Sequence, residues 1–87
     1  MIQARIIKEI LAERKKQDKK WGKQNHIPSI WTDILMEEVG EVSEAILEAT
    51  FGDWQWERYR EELIQVAAVA IAAIEAFDRK QKRDADV

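Results

Sequence analysis

Apolar residues recur at helical spacing along nearly the whole chain. Ile2, Ile6, Ile7, Ile10 and Leu11 form one stripe with charged residues around it, and predict a helix over residues 2–19. Gly22 and then Pro28 break the pattern, so residues 20–28 read as a connecting loop. The spacing resumes over residues 30–50, with Ser29 placed to cap the start and Gly52 to stop the end. Asp53 is placed to cap a third helix over residues 54–79, and residues 80–87 are expected to be a frayed polar tail. The fold class is therefore all-α, a bundle of about three main helices in a single domain spanning residues 1–87.

The third helix bears on assembly. Residues 63–74 are apolar on nearly every side, apart from Gln65, and six of the ten residues 67–76 are Ala. A helix that is apolar all round is buried all round. Three helices of one chain cannot surround it, so partner copies are expected to complete four-helix cores, as a homodimer or homotetramer. Size agrees, because an 87-residue chain buries only about two-thirds of its unfolded surface. The absence of Cys excludes disulfides and thiolate metal sites, and a single His excludes a multi-histidine centre within one chain. Three Gly and one Pro are too few for a turn-rich β sandwich or barrel.

Charge is uneven. Residues 1–25 carry eight Lys/Arg against three Asp/Glu, and the rest carries six against fourteen, so a local +5 sits beside a local −8. Single-stranded nucleic acid on the basic segment is one reading, but the acidic body opposes it, and nucleic acid is the least favoured partner. Arg5 and Lys8 interrupt the apolar start, so no signal-peptide core is visible and a cytoplasmic location is expected. The longest near-apolar run, residues 63–74, is too short for a bilayer, which needs about 20 residues.

Two carboxylates sit where aliphatic residues belong. On a wheel of the second helix, Trp31, Ile34, Leu35, Val42, Ala45, Ile46 and Ala49 share a face, with Glu38 near its middle. Glu41 lies at the edge of that face, roughly 60° away. Glu37, Glu44 and Glu48 fall further round, toward solvent, and for Glu44 and Glu48 a salt-bridged surface is the better reading. On the third helix, Glu62 lies on the side of Val69, Ala73 and Ala76, with Gln65 one turn along. Two helices thus each offer an i, i+3 pair of oxygen donors to a shared interior. A buried carboxylate must be neutralised, paired or bound to metal, and this hard-oxygen set suits Mg²⁺ or Mn²⁺. Di-iron carboxylate bundles use Glu-x-x-His pairs, which the chain lacks.

The loop adds recognition groups. Trp21 offers a stacking surface, and Gln24, Asn25 and His26 offer hydrogen bonds to a base edge. Lys20 and Lys23 are placed to contact phosphates, although surface solvation is the plainer role for each lysine taken singly. Glu41 and Glu37 are the candidates to accept a proton from an attacking water.

These residues resemble a known family. Glu37-Glu38-Val39-Gly40-Glu41 is similar to the EExxE motif of the MazG-like all-α nucleoside triphosphate pyrophosphohydrolases, and Glu61-Glu62-Leu63-Ile64-Gln65 is similar to their ExxD motif. The stretch from Trp21 to His26 resembles the W-D-x-x-Q-T-H segment that precedes EExxE, shortened by one residue. The likeness covers residues 20–75, with the three motifs in the family's order. It implies Mg²⁺-dependent hydrolysis of a (deoxy)nucleoside triphosphate to the monophosphate and pyrophosphate. It further implies metal ligation by Glu38, Glu41 and Glu62, with Glu37 as an accessory acid and the Trp21–His26 loop in the nucleotide pocket. The family's last Asp is Gln65 here, whose carbonyl can still ligate a hard cation but which removes one negative charge. That substitution leaves open fewer bound ions, a substrate-binding role for Gln65, or a helical module that binds nucleotide or a partner without turnover.

Overall fold

The computed structural model describes residues 1–52 and 55–86, and they form three α-helices: α1 (Ile2–Trp21), α2 (Pro28–Phe51) and α3 (Glu57–Ala85). No strand occurs among the described residues. The expected cap at Asp53 and helix start at Trp54 lie outside them. The all-α class is as the apolar spacing predicts, and the helix ends differ by a few residues for local reasons.

α1 ends at Gly22, whose φ of 72° is left-handed backbone that favours glycine, and whose N–H donates to the Asp18 carbonyl at 2.8 Å. α2 begins earlier than Ser29 would place it. Ile27 is the extended cap residue, Pro28 takes the first helical position, and the Ile27 carbonyl accepts from the N–H groups of Ile30 and Trp31. Proline suits that position because its fixed φ is helical and no N–H is lost there. At the other end, the Gly52 N–H donates to the Glu48 carbonyl, and a Cβ at Gly52 would stand 2.5 Å from that oxygen. α3 continues to Ala85, through the stretch read as a polar tail, with a Lys80–Asp84 ion pair at i, i+4 on its surface.

α3 is the central element. α1 and α2 each pack against it, and among the described residues their Cα traces never come within 8 Å of each other. Trp31 of α2 packs on Val69, Ala72 and Ala76 of α3, with Ile34, Leu35 and Ala73 around them. Small residues let the two helices approach closely, and Ala45, Ala49 and Ala68 are also buried. The core is thin: among the described residues no large side chain is fully buried, while Leu63 and Ile74 of α3 are 41% and 59% exposed. The radius of gyration is 15.2 Å, against about 12 Å for a compact chain of this length. The protomer is thus extended, and α1 and α2 diverge over α3 to leave a cleft between them.

A polar bolt joins α1 to α3. Arg14 is 8% exposed, and its guanidinium donates to Glu75 of α3 and to Gln17 and Asp18 of its own helix. The burial of this charge is tolerated because each side of the guanidinium meets an acceptor.

Candidate metal centre and adjoining cleft

α2 and α3 run antiparallel, so the turn of α2 that follows the Trp31 contact faces the first turns of α3. This register brings Glu38 and Glu41 opposite Glu62. One carboxylate oxygen from each lies within 4.8 Å of the others. Glu38 and Glu62 are half-buried, and Glu41 is exposed at the edge. The carboxyl of Glu38 is held above the ordinary carboxylate range by burial and by the charges of Glu41, Glu37 and Glu13. Glu62 is raised too, by burial and then by its contact with Glu41, an effect that Arg58 partly offsets.

Arg58 is the cation nearest this group. Its Nη1 lies 2.6 Å from Glu48 Oε2, its Nη2 3.7 Å from Glu44 Oε2 and its Nε 3.6 Å from Glu62 Oε1. Glu48 takes the closest contact, and the other Glu62 oxygen, Oε2, is buried with no hydrogen-bond partner. Of the three clustered carboxylates, Arg58 thus reaches Glu62, and it divides its charge between Glu62 and the outer pair Glu44 and Glu48. The oxygen ligands of an octahedral Mg²⁺ lie about 3–4 Å apart, so small side-chain rotations would close the group around a hard divalent ion. The donor set and the orphaned Glu62 oxygen both fit such an ion.

Glu38 carries this group to the edge of a cleft of about 580 Å³ between the end of α1, the first half of α2 and the middle of α3. Glu38 and Gln65 line it alongside Ile34, Val69 and Ala72. Its walls also carry four cationic side chains, Arg14, Lys16, Lys20 and Arg79. The volume is that of a small-molecule or cofactor site. Acidic and cationic groups lining one cleft suit a polyanion carried with a divalent ion.

The structure brings together some of the residues singled out from sequence and separates others. Glu38, Glu41 and Glu62 converge, and Gln65, half-buried, lines the cleft with Glu38. Glu37 is exposed and stands outside the three-carboxylate group, acting on Glu38 through its charge. Trp21 and Gln24 line the cleft, and Lys20 Nζ lies 4.8 Å from the Trp21 ring centroid. Lys23 is exposed and lines neither this cleft nor the second one. Asn25 and His26 line a different cleft: Asn25 Oδ1 accepts from Arg79 Nε at 3.0 Å, and His26 packs edge-on to Trp31 at 5.0 Å. The Gln24 carbonyl accepts from Arg79 Nη2 at 3.2 Å, so one guanidinium fixes the loop in this turn.

Arg14, Lys16, Gln17 and Arg79 line the cleft without having been singled out from sequence. Arg14 had a readable signal, since it lies four residues after Ile10 and eight after Ile6, on the apolar stripe of α1. No helix among the described residues is long and apolar enough to cross a membrane. No family model matches the chain, and the comparisons with curated proteins and with solved structures find no similar protein.

Proposed function

We propose that this protein is a cytoplasmic, Mg²⁺-dependent nucleoside triphosphate pyrophosphohydrolase of the MazG-like kind, with Mn²⁺ as an alternative ion. The observation that carries the reading is the convergence of Glu38, Glu41 and Glu62 with a buried, unpartnered Glu62 oxygen at a cleft lined by four cations. A lone carboxylate cluster is costly to fold, so its presence beside such a cleft points to a ligand that carries positive charge with it.

In this reading Glu38, Glu41 and Glu62 hold the ion, with the Gln65 carbonyl as a further oxygen donor. When bound, Mg²⁺ offsets the charge of phosphate oxygens. Lys16, Lys20 and Arg79 hold the phosphate tail by charge-assisted hydrogen bonds, and Trp21 stacks on the base while Gln24 reads its edge. Water attacks the α-phosphorus, the bond from that phosphorus to the oxygen bridging to the β-phosphate breaks, and pyrophosphate leaves. The proton of the attacking water passes to a carboxylate, Glu41 or Glu37, both exposed to solvent and able to release it.

The same reading includes self-association as a homodimer or homotetramer. Leu63, Ala67, Ala70 and Ile74 share a stripe of α3 at i, i+4, i+7 and i+11, and its two large ends are exposed in the single chain. Small residues between large ones suit a close helix-to-helix seam.

The test is release of pyrophosphate from a panel of ribo- and deoxyribonucleoside triphosphates with Mg²⁺ or Mn²⁺. Metal-dependent release that Glu38→Gln abolishes supports the reading, and no release across the panel refutes it. Gln65 favours a second reading, a module that binds nucleotide without turnover. Metal-dependent nucleotide binding in a calorimeter, without pyrophosphate release, would select it.

A further inference from the structure

Arg79 of α3 belongs both to the loop before α2 and to the wall of the first cleft. Its Nε donates to Asn25 Oδ1 at 3.0 Å, and its Nη2 donates to the Gln24 carbonyl at 3.2 Å. Its side chain lines the first cleft with Lys16 and Lys20. Asn25 does not line that cleft. It lies on the second one, of about 390 Å³, with His26 and Ile27. A residue whose sequence context suggests contact with a nucleotide thus stands behind the arginine that faces the cleft.

Two guanidinium groups line the first cleft, and they differ in what remains free. Arg14 is spent on Glu75, Gln17 and Asp18. Arg79 has no carboxylate partner among the described residues. Both of its acceptors are neutral amide oxygens, so they orient the flat fork without offsetting its charge, and they leave Nη1 for an incoming acceptor. The loop itself is anchored. The Gly22 N–H donates to the Asp18 carbonyl, the Ile27 carbonyl accepts from Ile30 and Trp31, and His26 packs edge-on against the buried Trp31. An arginine held in one orientation before a ligand arrives loses less side-chain freedom on binding it.

We propose that Asn25 is a positioning residue that aims the Arg79 guanidinium at the phosphate chain of a ligand in the first cleft. The proposal rests on the reading of that cleft as a phosphate site, and it needs no turnover to be tested. Asn25 then touches no part of the ligand and acts through Arg79 alone.

The test is a double-mutant cycle on the full chain, with inorganic triphosphate in saturating Mg²⁺ as the probe and calorimetry as the readout. Arg79→Gln should weaken binding about tenfold, since a charge-assisted contact is lost. Asn25 is exposed, so Asn25→Ala leaves the helices intact. It should weaken binding about threefold, the effect of freeing one long side chain. The double variant should bind no more weakly than Arg79→Gln alone, because Asn25 has nothing to position once the guanidinium is gone. The Arg79 Nε–H signal in NMR should exchange with water faster in Asn25→Ala than in wild type. Where nucleotide is turned over, Asn25→Ala should raise KM and leave kcat unchanged. Undiminished binding by Asn25→Ala, additive losses in the double variant, or a wild type that does not bind triphosphate would each overturn the proposal. The expected cycle with no pyrophosphate release from any nucleotide would refute the hydrolase and leave the role of Asn25 standing.

Discussion

The Arg58 guanidinium reaches Glu62 from one side only, with Nε 3.6 Å from Oε1, and leaves Oε2 buried and unpartnered. The shorter contact, 2.6 Å, goes to Glu48 on α2. Arg58 thus ties the start of α3 to the end of α2 and lends the carboxylate group a fraction of its charge. A cation at this distance opposes the entry of another. Arg58→Met should therefore tighten Mg²⁺ binding, by about threefold on the scale of partly screened charges, and lower stability slightly, because a part-exposed ion pair to Glu48 is lost. Calorimetric titration of Mg²⁺ and a urea melt check both signs. Weaker Mg²⁺ binding in the variant would mean that Arg58 orients Glu62 and does not compete with the ion.

Glu38 illustrates a conflict between site and fold. Burial, Glu41, Glu37 and Glu13 all disfavour its charged form, so in the metal-free chain the ionised side chain opposes folding. Glu38→Gln keeps the shape and removes the charge. The variant should abolish turnover and raise the metal-free stability at neutral pH. The pH dependence gives the sign. The folded-state value lies above the ordinary carboxylate value of 4.5, so the stability linked to this proton is complete below that value and is lost as pH rises through the raised one. The gap between wild type and variant should therefore be widest at neutral pH and shrink in acid, as denaturant midpoints would show. A variant less stable than wild type at neutral pH would refute the argument.

The helices and the carboxylate group were readable for related reasons. Helical spacing locates α1, α2 and α3, and the same spacing marks Glu38 as a charge on an apolar face. Glu62 could be matched to it because both carry an i+3 oxygen partner. What sequence spacing could not supply was the pairing of distant segments. Arg14 meets Glu75 across 61 positions, and only the packing of α1 on α3 makes that contact. The loop shows the same limit. Trp21, Gln24, Asn25 and His26 are close in sequence, but Arg79, more than 50 positions away, binds Asn25 Oδ1 and the Gln24 carbonyl, and the four residues divide between two clefts. Ser29 failed as a cap because Pro28 already supplies a preformed first turn.

Arg14 holds α1 in place. Its side chain is 10% exposed, while its partners Asp18 and Glu75 are 54% and 45% exposed and are rehydrated if the guanidinium is lost. The cost of Arg14→Ala therefore falls below that of breaking a fully buried pair, and about 2 kcal/mol is expected. Glu75→Gln, which leaves Asp18 and Gln17 on the guanidinium, should cost less, about 1 kcal/mol. Chemical denaturation followed by circular dichroism measures both. Equal losses would show that Glu75 alone secures Arg14. If the cationic wall of the cleft binds the phosphate tail, Arg14→Ala should also raise KM for the nucleotide, since Lys16 and Lys20 ride on the same helix.

The stripe of Leu63, Ala67, Ala70 and Ile74 bears directly on assembly. Its two large residues remain 41% and 59% exposed in the single chain, and the chain's own core is thin. Burying two such side chains against a second copy contributes about 1.5–3 kcal/mol each before the cost of association. A glutamate at position 74 puts a charge into that seam while remaining a good helix former. Ile74→Glu should therefore shift the protein from dimer or tetramer toward monomer in light scattering at micromolar concentration. Its thermal midpoint should also fall, and the wild-type midpoint should rise with protein concentration, as it does when folding and association are linked. A wild type that is monomeric at high concentration, with a midpoint independent of dilution, would show that this face stays uncovered.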